Sequence, residues 1–143
     1  MHLQKRTQYG LRAAVRLARR YHEGGYVQTR DLADDERMPG KFLEQVMLIL
    51  RRATLLESKV GSGGGYRLRR PPERILVAQL LDALEPPVEL ETTNPPTMGC
   101  RAVEAVKGRL AKSRDRACGT WTLADLADES ARAAERAGAM YYI

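Results

Sequence analysis

Residues Pro39 to Leu68 read PGKFLEQVMLILRRATLLESKVGSGGGYRL, and the fold turns on what this stretch can form. Leu43, Val46, Met47 and Leu50 recur at the three- and four-residue spacing of one buried helical stripe, with Lys41, Glu44, Gln45, Leu48 and Arg51 on the opposite face. That outward face carries a base-reading set: Arg and Lys suit phosphates and guanine edges, Gln suits adenine, and Glu accepts from the cytosine amino group. Alone, such a face is more often simply solvated. The second half changes the balance. Leu55 to Val60 and Tyr66 to Leu68 are short strand-like runs joined by Gly61-Ser62-Gly63-Gly64-Gly65, which allows a sharp turn and close backbone approach. A phosphate-cradling loop would need Gly-Lys-Ser/Thr opening a helix, and Tyr66-Arg67-Leu68 follows instead, so that reading fails.

A hairpin directly after a candidate recognition helix is the layout of a winged helix, with the wing beside the DNA backbone. Upstream, Leu11, Ala14, Val15, Leu17, Ala18 and Tyr21 predict a buried helical face from Thr7 to about Tyr21, ended by Gly24-Gly25. Thr29 is expected to cap a short helix carrying Leu32 and Ala33 inward, and Met38-Pro39-Gly40 makes the turn into the next. Two short helices around a tight turn are the helix-turn-helix signature, whose second helix enters the major groove.

The chain resembles the winged-helix bacterial regulators typified by IscR (iron-sulfur cluster regulator) and CymR (cysteine metabolism regulator). The matching residues are Tyr9-Gly10-Leu11, Asp31-Leu32-Ala33, Phe42-Leu43-Glu44-Gln45, Leu48 to Arg51, Leu55-Leu56, Gly61 with Gly63 to Tyr66, and Thr122 to Leu126. The resemblance implies that the helix with Leu-Glu-Gln is the recognition helix and the Gly-Gly-Tyr hairpin the wing. It places Lys5, Arg6 and Tyr9 at phosphates, although Tyr9 reads equally well as a core residue with a wet hydroxyl. The set expected at DNA is Lys5, Arg6, Tyr9, Lys41, Phe42, Glu44, Gln45, Arg51, Lys59, Gly63, Gly64, Tyr66 and Arg67. Within it Glu44 and Gln45 read bases, and Lys41, Arg51, Lys59 and Arg67 hold phosphates. One departure is Val60, where the family often has an Arg just before the first wing glycine; Lys59 is its neighbour. A protein-interaction module without DNA binding is the alternative this departure favours.

The 143 residues suit one compact domain with an appendage. Their net charge of +6 is uneven: residues 1–70 hold 15 Lys/Arg against 7 Asp/Glu, a net +8, and the rest 9 against 11. A basic head joined to a weakly acidic tail fits a polyanion-binding unit with a partner-binding appendage. No apolar run approaches the roughly 18 residues of a membrane span, and Lys5-Arg6 follow the start, so a cytoplasmic location is expected. His2 and His22 are the only histidines, and no Ser-His-Asp, Cys-His or metal-ligand spacing is present. Catalysis is not expected.

After the wing, Ile75, Val77, Leu80, Leu81 and Leu84 predict a helix on the core, ending a DNA-binding domain at 1–84. Residues 85–99, with Pro86, Pro87, Pro95 and Pro96, read as a linker. Residues 100–143 hold the rest. Val103, Val106 and Leu110 form a stripe too thin to stabilise a lone helix, so packing on a second copy in a two-fold dimer is expected. The family resemblance implies the same dimerisation helix. A last helix is expected from Thr122 to Gly138. The fold class is thus mainly α with a β-hairpin wing: a winged helix-turn-helix plus a long dimerisation helix.

IscR-like members hold a cluster with three cysteines before the long helix and a histidine inside it. Here only Cys100 remains in that region, Val103 stands where the histidine is expected, and such clusters usually need four ligands. No cofactor is expected, which moves the resemblance toward CymR. On one helix Cys100 and Cys118 are 18 residues and therefore about 27 Å apart, against a limit of roughly 7 Å between disulfide Cα atoms. A redox switch would thus bridge two subunits. Two inert thiols are the favoured reading, since no cationic neighbour is evident to lower a pKa. Finally, Tyr141, Tyr142 and Ile143 resemble the aromatic-aromatic-Ile tail with which CymR-like regulators enter the active site of cysteine synthase (O-acetylserine sulfhydrylase). A tail folded back on the body is the competing reading. The function expected is a homodimeric, sequence-specific transcriptional repressor, with cysteine or sulfur metabolism as its field.

Overall fold

A computed structural model describes residues 2–86 and 89–141. Helix α1 (Lys5–Arg20) runs into a single 3-10 turn, Tyr21–Glu23, and α2 (Thr29–Glu36) and α3 (Gly40–Arg52) follow. Strands β1 (Leu56–Lys59) and β2 (Gly65–Leu68) form an antiparallel hairpin in the register Leu56↔Leu68, Glu57↔Arg67, Ser58↔Tyr66 and Lys59↔Gly65. Then come α4 (Val77–Leu84), α5 (Met98–Cys118) and α6 (Leu123–Tyr141). Among the described residues no helix is long and apolar enough to cross a membrane.

The α3 stripe becomes the centre of the core: Leu43, Val46, Met47 and Leu50 are all enclosed, beside Leu17, Leu32, Leu80 and Leu84. Each such side chain contributes about 1.5–3 kcal/mol of burial, and together they fix which face of α3 points outward. The hairpin is fastened to the body by main chain. Val27 and Tyr66 exchange both N–H···O bonds at 2.8 Å, and Gly65 passes so close that a Cβ there would stand 2.2 Å from the Val27 carbonyl oxygen.

Four sequence-based expectations need correction. Thr29 does not cap α2; it is the first helical residue and is buried, while Gln28, in extended conformation, lends its carbonyl to the N–H groups of Asp31 and Leu32. Ile75 lies ahead of α4 rather than in it, because its extended backbone accepts from Leu123 N–H at 2.7 Å while Val77 donates to the Trp121 carbonyl at 2.8 Å. The linker ends earlier than expected: Thr97 caps α5 by accepting from Cys100 N–H, so Met98 and Gly99 are helical. The last helix does not stop at Gly138 but continues to Tyr141. A single interior glycine costs about 1 kcal/mol in a helix, and the surrounding Ala-rich sequence tolerates it. Thr122 does cap α6, through a reciprocal box in which Asp125 N–H donates to its hydroxyl and its own N–H donates to the Asp125 carboxylate.

The C-terminal portion is not one unit. Leu123 and Ala127 of α6 belong to the core and α6 packs along α1, whereas α5 contains no buried residue. Val103, Val106 and Leu110 lie on α5 more than half exposed.

Candidate nucleic-acid interface

Because its other side fills the core, α3 turns Lys41, Glu44, Gln45, Leu48 and Arg51 outward. The hairpin and the start of α2 stand beside this face, and the three border a cleft of about 380 Å³ lined by Arg30, Glu44, Arg51, Lys59, Val60 and Tyr66. Three cations against one carboxylate leave the cleft positive, and low-dielectric walls focus such a field. Arg30, at the start of α2, was not singled out in the sequence. Its only local signal was an arginine in the first turn before the helix-turn-helix bend.

Strand alternation divides the wing residues. Tyr66 points inward, almost fully buried, with its hydroxyl near Glu44 and Arg51; burial first, and then the Glu44 charge, raise its pKa above the usual phenol value of 10.0, while Arg51 opposes them. Arg67 points the other way. It is ion-paired with Glu57 directly across the ladder and lies over the Tyr26 ring at 4.4 Å, on the outer face of the hairpin away from α3. Structure thus separates Arg67 from Lys41, Arg51 and Lys59, the expected phosphate-holding set. At the tip, Val60 is 95% exposed beside Lys59. Gly63 is exposed, while Gly64 is turned in against the Lys59 carbonyl.

The opening of α1 lies next to the start of α3. Tyr9 and Phe42 meet edge to face at 5.3 Å and both are half-buried, so each is first a packing residue. Lys5 is exposed and Arg6 partly so. Arg12 and Arg16, in contrast, are engaged by Glu36 at the end of α2.

Cys100 and Cys118 lie near opposite ends of one continuous helix, both as free thiols. Hydrogen bonding by the Thr97 hydroxyl, followed by the Thr93 backbone and hydroxyl, lowers the Cys100 pKa from 9.0 to about 7. The cause is neutral polar groups at a helix start rather than a cation. Tyr142 and Ile143 lie outside the described residues, and so does the side chain of Tyr141, whose backbone closes α6.

Comparison with known proteins fits this geometry. Residues 3–129 match the Rrf2 family model, described as an iron-dependent transcriptional regulator. Protein rrf2 of Nitratidesulfovibrio vulgaris is 34% identical over 131 residues, covering 88% of this chain and 87% of that protein. The HTH-type transcriptional regulator IscR of Cereibacter sphaeroides is 35% identical, covering 79% and 70%. The structure of CymR, the global cysteine regulator of B. subtilis, superposes with a TM-score of 0.72 at 26% identity, covering 90% of this chain and 98% of that one. The donor set does not suit the iron of the family description. Among the described residues no three His, Cys, Asp or Glu side chains converge, and the Cys100 thiol lies 3.9 Å from the Thr93 hydroxyl and 3.8 Å from the Glu91 carbonyl. The chain belongs to the Rrf2 family of transcriptional regulators, which are not enzymes.

Proposed function

We propose that this Rrf2-family chain is a cluster-free homodimeric repressor that reads double-stranded DNA in the cytoplasm with α3 in the major groove and the hairpin against the backbone. The observation that carries the reading is that the outward face of α3, the start of α2 and the hairpin share a positive cleft. Gln45 and Glu44 are placed for base edges; Lys41, Arg51 and Lys59 for phosphates; Lys5 and Arg6 extend the track along the backbone. Arg67, held by Glu57, supports the hairpin instead. Two copies joined through the Val103-Val106-Leu110 stripe would present two recognition helices to half-sites about one helical turn, 34–36 Å, or a multiple apart. Selection of bound sites from a random duplex pool tests this. Enrichment of an imperfect palindrome is expected, and no enrichment at all favours the interaction-module alternative.

The similarity to CymR supports a finer reading, in which Tyr141, Tyr142 and Ile143 dock in cysteine synthase and link its availability to DNA binding. Titrating the full chain into that enzyme tests it. If enzyme activity responds equally to the full chain and to a version lacking Met140 to Ile143, the tail has no such role.

A further inference from the structure

Three contacts meet at the end of α4. The Thr7 hydroxyl, in the first turn of α1 and wholly enclosed, donates to Glu85 Oε1 at 2.6 Å across 78 positions of sequence. That length is typical of a charge-assisted bond to a carboxylate. Three residues further along α1, Gly10 lies so close beneath Leu84 that an added Cβ would be 2.5 Å from both Leu84 methyls. On another side of α4, Asp82 accepts from Arg114 of α5. Glu85, whose N–H is held by the Leu81 carbonyl at 2.9 Å, also opens the segment that leads to α5. The turn of α1 gripped here also carries Lys5 and Arg6, and Tyr9 beyond it abuts Phe42 in the first turn of α3.

We propose that Thr7 and Glu85 are positioning residues for DNA engagement: their bond sets the opening turn of α1, with Lys5 and Arg6, level with the recognition helix, and ties that placement to α5. The proposal rests on the DNA-binding reading above. Neither residue touches DNA, since Thr7 is enclosed and a carboxylate repels phosphate. α4 then acts as a link: with Asp82 on α5 and Glu85 on α1, a displacement of α5 reaches the phosphate-facing start of α1 without passing through the packed stripe of α3.

The test is anisotropy titration of the full chain across a salt series, on the duplex enriched by selection and on a random-sequence duplex of equal length. Thr7→Val removes the donor and keeps the shape. It is expected to weaken binding to both duplexes about tenfold and to lower the slope of log affinity against log salt by about one to two, the share of Lys5 and Arg6. Glu85→Ala should repeat this, and Glu85→Gln, which keeps an oxygen acceptor, should restore it. Lys5→Ala should weaken the natural chain but add nothing to Thr7→Val. If Thr7→Val and Glu85→Ala lower only the thermal midpoint and leave affinity and salt slope unchanged, or if Lys5→Ala is fully additive, the positioning role is overturned. Should Thr7→Val fail to fold, the Glu85 pair answers the same question. Arg51→Ala separates the two claims: it still weakens binding when only the positioning role is wrong, and loses its effect when DNA binding itself is wrong.

Discussion

Helices α3 and α5 are both amphipathic, and the chain treats them in opposite ways. The 13 residues of α3 bury four large apolar side chains, whereas the 21 residues of α5 bury none. α3 completes its packing inside the chain, so its outward face is rigid and free for a partner. α5 keeps Val103, Val106 and Leu110 in solvent, and a stripe of that kind holds a long helix only when another surface covers it. In the function proposed above, α3 would be the reading helix and α5 the one on which a second copy closes.

The largest effect should come from breaking α3 itself. Leu50→Ala removes a fully enclosed side chain at the centre of the core and is expected to cost about 2–5 kcal/mol in urea unfolding. Val106→Asp, on an exposed position of α5, should leave the unfolding of the head nearly unchanged while turning the proposed dimer into monomer in sedimentation. Loss of bivalent engagement would then lower affinity for a palindromic duplex by about 100-fold or more. An equal loss of head stability in both variants would erase the contrast between the helices.

Smaller effects sharpen the roles within α3. Gln45→Ala should cost about 1–3 kcal/mol of discrimination at one base pair and little on random duplex. Arg51→Ala should weaken all duplexes alike and reduce the salt slope by about one. Uniform loss from both in anisotropy titrations would mean that Gln45 is not a base reader. The least perturbing test probes the start of α5. With its pKa lowered to about 7, Cys100 is thiolate above that pH and thiol below it, so its alkylation rate should rise to half-maximum near pH 7 in mass-resolved labelling. A midpoint close to 9, the ordinary thiol value, would show that Thr93 and Thr97 do not hold it.

Much of this was legible in the chain because it depends on near neighbours. The three- and four-residue spacing of Leu43, Val46, Met47 and Leu50 predicts both the α3 helix and its free face, and the glycine run predicts the hairpin. The box formed by Thr122 and Asp125 spans three residues, so the start of α6 could be read as well. The +8 balance of residues 1–70 points to a polyanion from composition alone.

Other features were decided only by the folded chain. Strand periodicity places Tyr66 and Arg67 on opposite faces of a hairpin, but which face meets α3 depends on the Val27–Tyr66 pairing and the close passage of Gly65. That pairing turns Tyr66 toward Glu44 and Arg51 and leaves Arg67 to Glu57 and Tyr26. The separation of α5 from α6 has the same origin. Both carry alanines and a modest apolar stripe, yet only α6 finds a surface, along α1, that covers Leu123 and Ala127. The glycine at 138 misled because a penalty of about 1 kcal/mol is a weak preference beside the context of a whole helix. Periodicity settles which residues share a face, whereas contacts such as Thr7 with Glu85, 78 positions apart, are settled by packing.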